Sequence, residues 1–184
     1  MIATHDDAAP GHAPTTTTHV SRTLIKAPVE TVWSILTKTD EALPFFFGGI
    51  CETVDGLHPG AKMRMVHRNR KIAMVVGEVL AFEPPRLYSH TFRMTTIDEP
   101  PCVVTYRLAE HADGCEFSLT IDRAVPGSKL EKQMLGAQGF IGANLRALAE
   151  TGCPALSGRM VGLLSPLSAL LAKPSQRIGN WPLD

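Results

Sequence analysis

Residues 77–92 read GEVLAFEPPRLYSHTF. A strand-like run ends at Phe82, Pro84 and Pro85 make a corner, and a second run carries Tyr88, His90 and Phe92 at every second position. Side chains alternate across a strand, so these three rings share one face. Such a face either fills an ordinary core or lines a chamber.

The pattern continues on both sides. AKMRMVHR (61–68) and KIAMVVGEVLAF (71–82) flank a polar tip at Asn69–Arg70 and read as a hairpin. CVVTYRLAE (102–110) and CEFSLTID (115–122) flank HADG and read as another. ICETVDG (50–56) and HVSRTLIKA (19–27) add further strands. Strands that follow one another directly imply an antiparallel meander.

Two short helices are expected after the first strand. In APVETVWSILT, Pro28 suits a first turn, and Val29, Val32, Trp33 and Leu36 recur at helical spacing. In DEALPFFFGG, Asp40 is a candidate cap for a second helix, limited by Pro44 and ended by Gly48–Gly49. A long C-terminal helix is expected over 129–150, with Leu130, Met134, Ala137, Ile141, Leu145 and Leu148 on one face. Ser128 and Glu131 have capping-box spacing, and Gly152 can close the helix. Gly136, Gly139 and Gly142 weaken it but let another surface approach.

The bulk numbers fit this plan. The 184 residues suggest one domain with tails. Residues 1–19 have almost no large apolar side chains and are expected to be disordered; 20–152 form the domain, and 153–184 form an extension. Lys+Arg and Asp+Glu both number 18, so the net charge is zero, which argues against a nucleic-acid partner. The cluster Arg64, Arg68, Arg70 and Lys71 reads as a solvated hairpin tip. Cys51, Cys102, Cys115 and Cys153 show no metal-ligand spacing, and the N-terminus lacks a secretory signal. We therefore expect free, mostly buried thiols in a cytoplasmic protein, with no metal and no cofactor. The apolar stretch Met160–Ala172 is too short to span a membrane and contains Pro166. It is expected to dock on the domain or on a partner subunit; in the second case residues 154–184 would build a homodimer.

The order of elements resembles the helix-grip fold of the START/birch-pollen-allergen (SRPBCC) superfamily, in the branch named for activators of heat-shock protein 90 ATPase. The resemblance rests on RTLIKAPVETVWSILTKTDEALPFFFG, GAKMRM, GEVLAFEPPRLYSHTF and VTYRLAEHADGCEFSLTID. It implies an α+β fold in which a curved antiparallel sheet of about six to seven strands wraps a long C-terminal helix over a hydrophobic cavity. Some superfamily members bind lipids, hormones or polyketides. The resemblance implies no fixed catalytic set.

Strand parity nominates the cavity face. It takes Met63, Met65 and His67 from one strand, and Met74, Val76 and Glu78 from the next. Tyr88, His90 and Phe92 follow, then Val104, Tyr106, Phe117 and Leu119. Trp33, Phe46, Phe47, Met134 and Ile141 complete it from the helical side. If Phe82 pairs with Tyr88 and alternation is unbroken, Glu78 and His90 become diagonal neighbours. They then form a satisfied core pair, a polar cavity end that orients a guest, or an acid–base couple like that of polyketide cyclases. The corresponding functions are binding of a small hydrophobic molecule (lipid, aromatic or polyketide-like), cyclase/dehydratase catalysis, and a chaperone-associated interaction module.

Overall fold

A computed structural model describes residues 16–168 and 171–183. Eight antiparallel strands form one curled sheet, ordered β1-β8-β7-β6-β5-β4-β3-β2. They are β1 Thr17–Ile25, β2 Ala42–Leu43, β3 Gly49–Thr53, β4 Lys62–Val66, β5 Ala73–Glu83, β6 Leu87–Met94, β7 Cys102–His111 and β8 Gly114–Ala124. Helices α1 (Val29–Leu36), α2 (Lys129–Thr151) and α3 (Leu156–Ser168) complete the chain. This is the helix-grip arrangement, with α2 lying against β1, β8 and the turn after β2. The sheet starts at Thr17, three residues before the expected Val20. Most of the expected N-terminal tail lies outside the described residues.

The second short helix is shorter than expected. Ala42–Leu43 pairs with β3 as a two-residue strand, and Pro44–Phe46 makes a single 3-10 turn that Phe47 closes in the left-handed region, at φ 53°. Asp40 itself has φ 61° and caps nothing. The eighth strand comes from this substitution.

Two bulges set the phase of β5. Met65 pairs with Val75 but Val66 with Ala73, which leaves Met74 as an extra residue. Val79 pairs with His90 but Ala81 with Ser89, which leaves Leu80 over. Each bulge inserts one residue, and a one-residue slip reverses the faces. Phe82 does pair with Tyr88, as unbroken alternation requires. Beyond Leu80, however, Val79 and Val75 turn inward while Val76 and Glu78 turn outward.

The long helix is tied down at its start by β1 and by the loop after β6. Ser128 Oγ accepts the Glu131 N–H at 3.0 Å. The Glu131 carboxylate does not return to Ser128; it accepts from Thr17, from His19 at 2.8 Å and from the Gly127 N–H. Glu99, in the loop after β6, accepts from the N–H groups of Lys129 and Leu130 at 3.1 and 2.9 Å, next to the positive end of the helix dipole. Of the three helix glycines, only Gly142 serves close approach: a Cβ there would sit 2.6 Å from Thr23 Oγ1, while Gly136 and Gly139 face open space. Gly152 closes the helix at φ 72°.

The bonds to Glu131, that from Thr17 first, hold its carboxyl at about 2, below the ordinary 4.5. A lowered carboxylate pKa adds stability that is complete above 4.5 and is lost as pH falls toward 2. Glu131→Gln is therefore expected to lower the urea midpoint at neutral pH. The difference from the parent protein should close as the pH falls from 4.5 to 2; a gap that is constant with pH would refute the linkage.

Beyond α2, the extension returns to the domain. Ile178 N–H donates to Lys71 O at 3.0 Å, Arg64 donates to Trp181 O at 2.7 Å, and the Arg93 guanidinium lies 5.6 Å from the Trp181 ring centre. Helix α3 is joined to α2 by buried Asn144, whose amide donates to Ser157 Oγ at 3.1 Å. Its Leu156, Met160, Leu163 and Leu164 form an exposed stripe at helical spacing.

Candidate functional site: a chamber between sheet and helix

A chamber of about 540 Å³ lies between the sheet and α2. Its sheet wall is Val75, Phe92, Met94, Tyr106 and Leu119; its helix wall is Met134, Ala137, Phe140 and Ile141; Phe46, Phe47 and Met74 close one side. Gln133 and Gly136 are exposed and Phe47 is partly so, which places the mouth between α2 and the turn after β2. Phe47 and Phe140 stack across this gap with ring centres 4.4 Å apart and planes 6° apart. Buried Tyr106 and Leu119 form the floor.

A second, smaller void of about 20 Å³ lies beyond Phe46 and Tyr106, which border both spaces. That is room for about one water molecule. Tyr88, His90, Met63, Met65 and Cys51 line it, with Lys38 at its edge. Tyr88, His90 and Tyr106 form a packed aromatic group with ring centres 5.0–5.9 Å apart. Burial pushes the His90 imidazole down to about 4 and raises both phenols, so all three are neutral at ordinary pH. His90 Nδ1 lies 2.8 Å from Thr91 O. A carbonyl only accepts, so Nδ1 carries the proton and Nε2 is a bare acceptor. The Tyr88 hydroxyl is buried with no partner.

The structure distributes the nominated residues unevenly. Phe46, Phe47, Met74, Phe92, Tyr106, Leu119, Met134 and Ile141 line the chamber. Met63, Met65, Tyr88 and His90 line the small void instead. Trp33 packs on Phe82 with ring centres 5.3 Å apart, and Val104 and Phe117 are solid core; none of the three reaches the chamber. His67 is buried at the β4–β5 tip, where its Nδ1 accepts the Asn69 N–H at 3.2 Å. Val76 and Glu78 sit on the outer face, where Glu78 is opposite Lys62 in the ladder. The Leu80 bulge thus removes the diagonal Glu78–His90 pair and the acid–base couple built on it.

Parity also missed Val75, while Met94 lines the chamber in phase with Phe92, as alternation along that strand expects. On α2 it missed Gln133, Gly136, Ala137 and Phe140 as a lining set. These four are spaced i, i+3, i+4, i+7, a stripe beside the core stripe, and that spacing was the available signal. Part of the basic cluster is paired locally: Arg64 and Arg70 both donate to Glu52, at 2.9 and 2.7 Å. Among the described residues no cluster of His, Cys, Asp or Glu forms a metal site, and no helix is long and apolar enough to cross a membrane.

The model of the activator of Hsp90 ATPase homolog 1-like family matches residues 26–151, which begin just after β1 and take in the other seven strands, α1 and α2. The chain belongs to that family. No curated protein matches it. Among solved structures it is similar to CalU16 from Micromonospora echinospora, at 20% identity and a TM-score of 0.52, over 85% of this chain and 87% of that one. It is also similar to the Aha1 dimer from Colwellia psychrerythraea, at 13% identity and 0.56, over 75% and 98%. DynU16, a protein of the dynemicin biosynthetic locus, matches at 23% and 0.51, over 76% of this chain and 48% of that one. These likenesses show a shared fold.

Proposed function

We propose that this family member binds a small hydrophobic molecule, lipid, aromatic or polyketide-like, between the sheet and α2. The chamber carries this reading: its volume lies within the range of small-molecule sites, and its lining is apolar apart from Tyr106 and Gln133. The methionines on its walls suit an adaptable guest surface. The presence of a DynU16-like fold in a biosynthetic locus is consistent with a polyketide-like guest. The binding unit is residues 20–152, acting in the cytoplasm without cofactor.

Native mass spectrometry of protein from its own host tests the reading, and a retained small-molecule mass is the expected result. Ala137→Trp fills the chamber from the helix wall, so it should abolish binding of a fluorescent hydrophobic probe while circular dichroism stays unchanged. Equal probe binding by the variant would place the guest elsewhere.

The exposed stripe Leu156, Met160, Leu163 and Leu164 favours a second role for residues 154–184, contact with another protein or a second copy. Sedimentation of the parent against Leu163→Lys reads this directly: loss of a dimer species supports the homodimer, and identical monomers in both reject it.

A further inference from the structure

The chamber is not uniformly apolar, and its only buried polar side chain is at the bottom. Tyr106 is 4% exposed and borders both the chamber and the small void behind it. Tyr88, also 4% exposed, faces the same void with a hydroxyl that has no hydrogen-bond partner. A buried hydroxyl without a partner is costly, and such a group in a native structure calls for an explanation. Tyr88 borders only the void, so an oxygen at the chamber floor meets Tyr106, whose ring centre lies 5.7 Å from that of Tyr88.

Charge is absent from the same place. None of the described residues lining the chamber is Asp, Glu, Lys, Arg or His. Lys38, at the edge of the void, is half exposed and held by Glu41 at 3.1 Å. Glu52, Arg64 and Arg70 pair with one another away from the chamber lining.

We propose that the chamber selects electrically neutral guests carrying one hydrogen-bonding oxygen, a ketone, phenol or alcohol, and that it rejects carboxylates. The oxygen is held at Tyr106, with the hydrocarbon part against Phe92, Met134 and Ile141. A carboxylate placed there would lose its hydration with no cation to replace it, a penalty far larger than that of burying a neutral oxygen. The buried imidazole of His90 does not supply the cation, because it stays uncharged near neutral pH. The phenols keep their protons and so remain donors to a carbonyl. By this logic free fatty acids are excluded, and aromatic ketones, phenols and neutral lipids are admitted.

This inference rests on the binding reading above, and the test separates the two. The full chain is titrated calorimetrically at neutral pH with three naphthalene derivatives of similar size: naphthyl methyl ketone, naphthoate and ethylnaphthalene. The ketone is expected to bind at least about tenfold more tightly than naphthoate, and more tightly than ethylnaphthalene. In the Tyr88→Phe, Tyr106→Phe double variant, the advantage over ethylnaphthalene should disappear while ethylnaphthalene itself still binds. Naphthoate binding as tightly as the ketone overturns the inference and leaves the binding reading standing. So does a ketone preference that survives the double substitution. Failure of all three probes to bind the folded parent protein overturns the binding reading and the inference with it.

Discussion

Replacing Gly77 by alanine is expected to destabilise the protein by about 3 kcal/mol, although glycine to alanine in a strand normally costs nothing. A Cβ at residue 77 would sit 1.9 Å from the Thr91 carbonyl oxygen of the neighbouring strand. That oxygen is not free to move. It accepts from His90 Nδ1 at 2.8 Å, and Thr91 Oγ1 accepts the Glu78 N–H at 2.8 Å. Relief would require β5 and β6 to part where they hold the chamber wall. Gly139→Ala is the natural control, because nothing lies within 4 Å of a Cβ there and the site is exposed on α2. It should stabilise by up to about 1 kcal/mol. Chemical denaturation of both variants reads the contrast, and a Gly77→Ala midpoint equal to the parent's would show that the strands do not pack this closely.

His90 is expected to produce an acid limb in the stability curve well above the carboxylate range. The imidazole is 3% exposed and burial lowers it from 6.5 to about 4. The unfolded chain therefore takes up a proton near 6.5 that the folded chain refuses until about 4. Stability is complete above 6.5 and falls as the pH drops through this window, by about 3 kcal/mol in total. His90→Phe keeps a ring against Tyr88 and Tyr106 but has no proton to refuse. The difference between the parent and this variant should therefore shift in the variant's favour between pH 6.5 and 4, as measured by urea titration. Parallel pH curves for the two proteins would mean that His90 is hydrated or already charged in the fold.

The meander and the long helix were legible because both obey simple periods. Val104, Tyr106 and Leu108 alternate against Phe117, Leu119 and Ile121, and the sheet pairs them in that register. Ser128 and Gly152 mark the ends of α2 through local chemistry. What could not be read depends on single extra residues or on partners far away. Met74 and Leu80 look like ordinary apolar strand residues, yet each is the surplus member of a bulge, and together they invert residues 75–79. No local feature marks Glu99 as a cap for a helix starting thirty residues later. Phe140 carries the spacing of a lining residue, but a helix of this kind has two apolar flanks, and only the position of the turn after β2 decides which one meets the guest.

The Phe47–Phe140 stack bears on timing as well as on fit. Its two halves belong to distant segments, so they separate when the turn after β2 swings, when α2 tilts, or when the partly exposed Phe47 ring rotates away. A guest already inside would then leave at the rate of that opening, whatever its own affinity. Chemically different occupants would share one escape rate, and swapping Phe47 for a smaller side chain would quicken release for all of them alike.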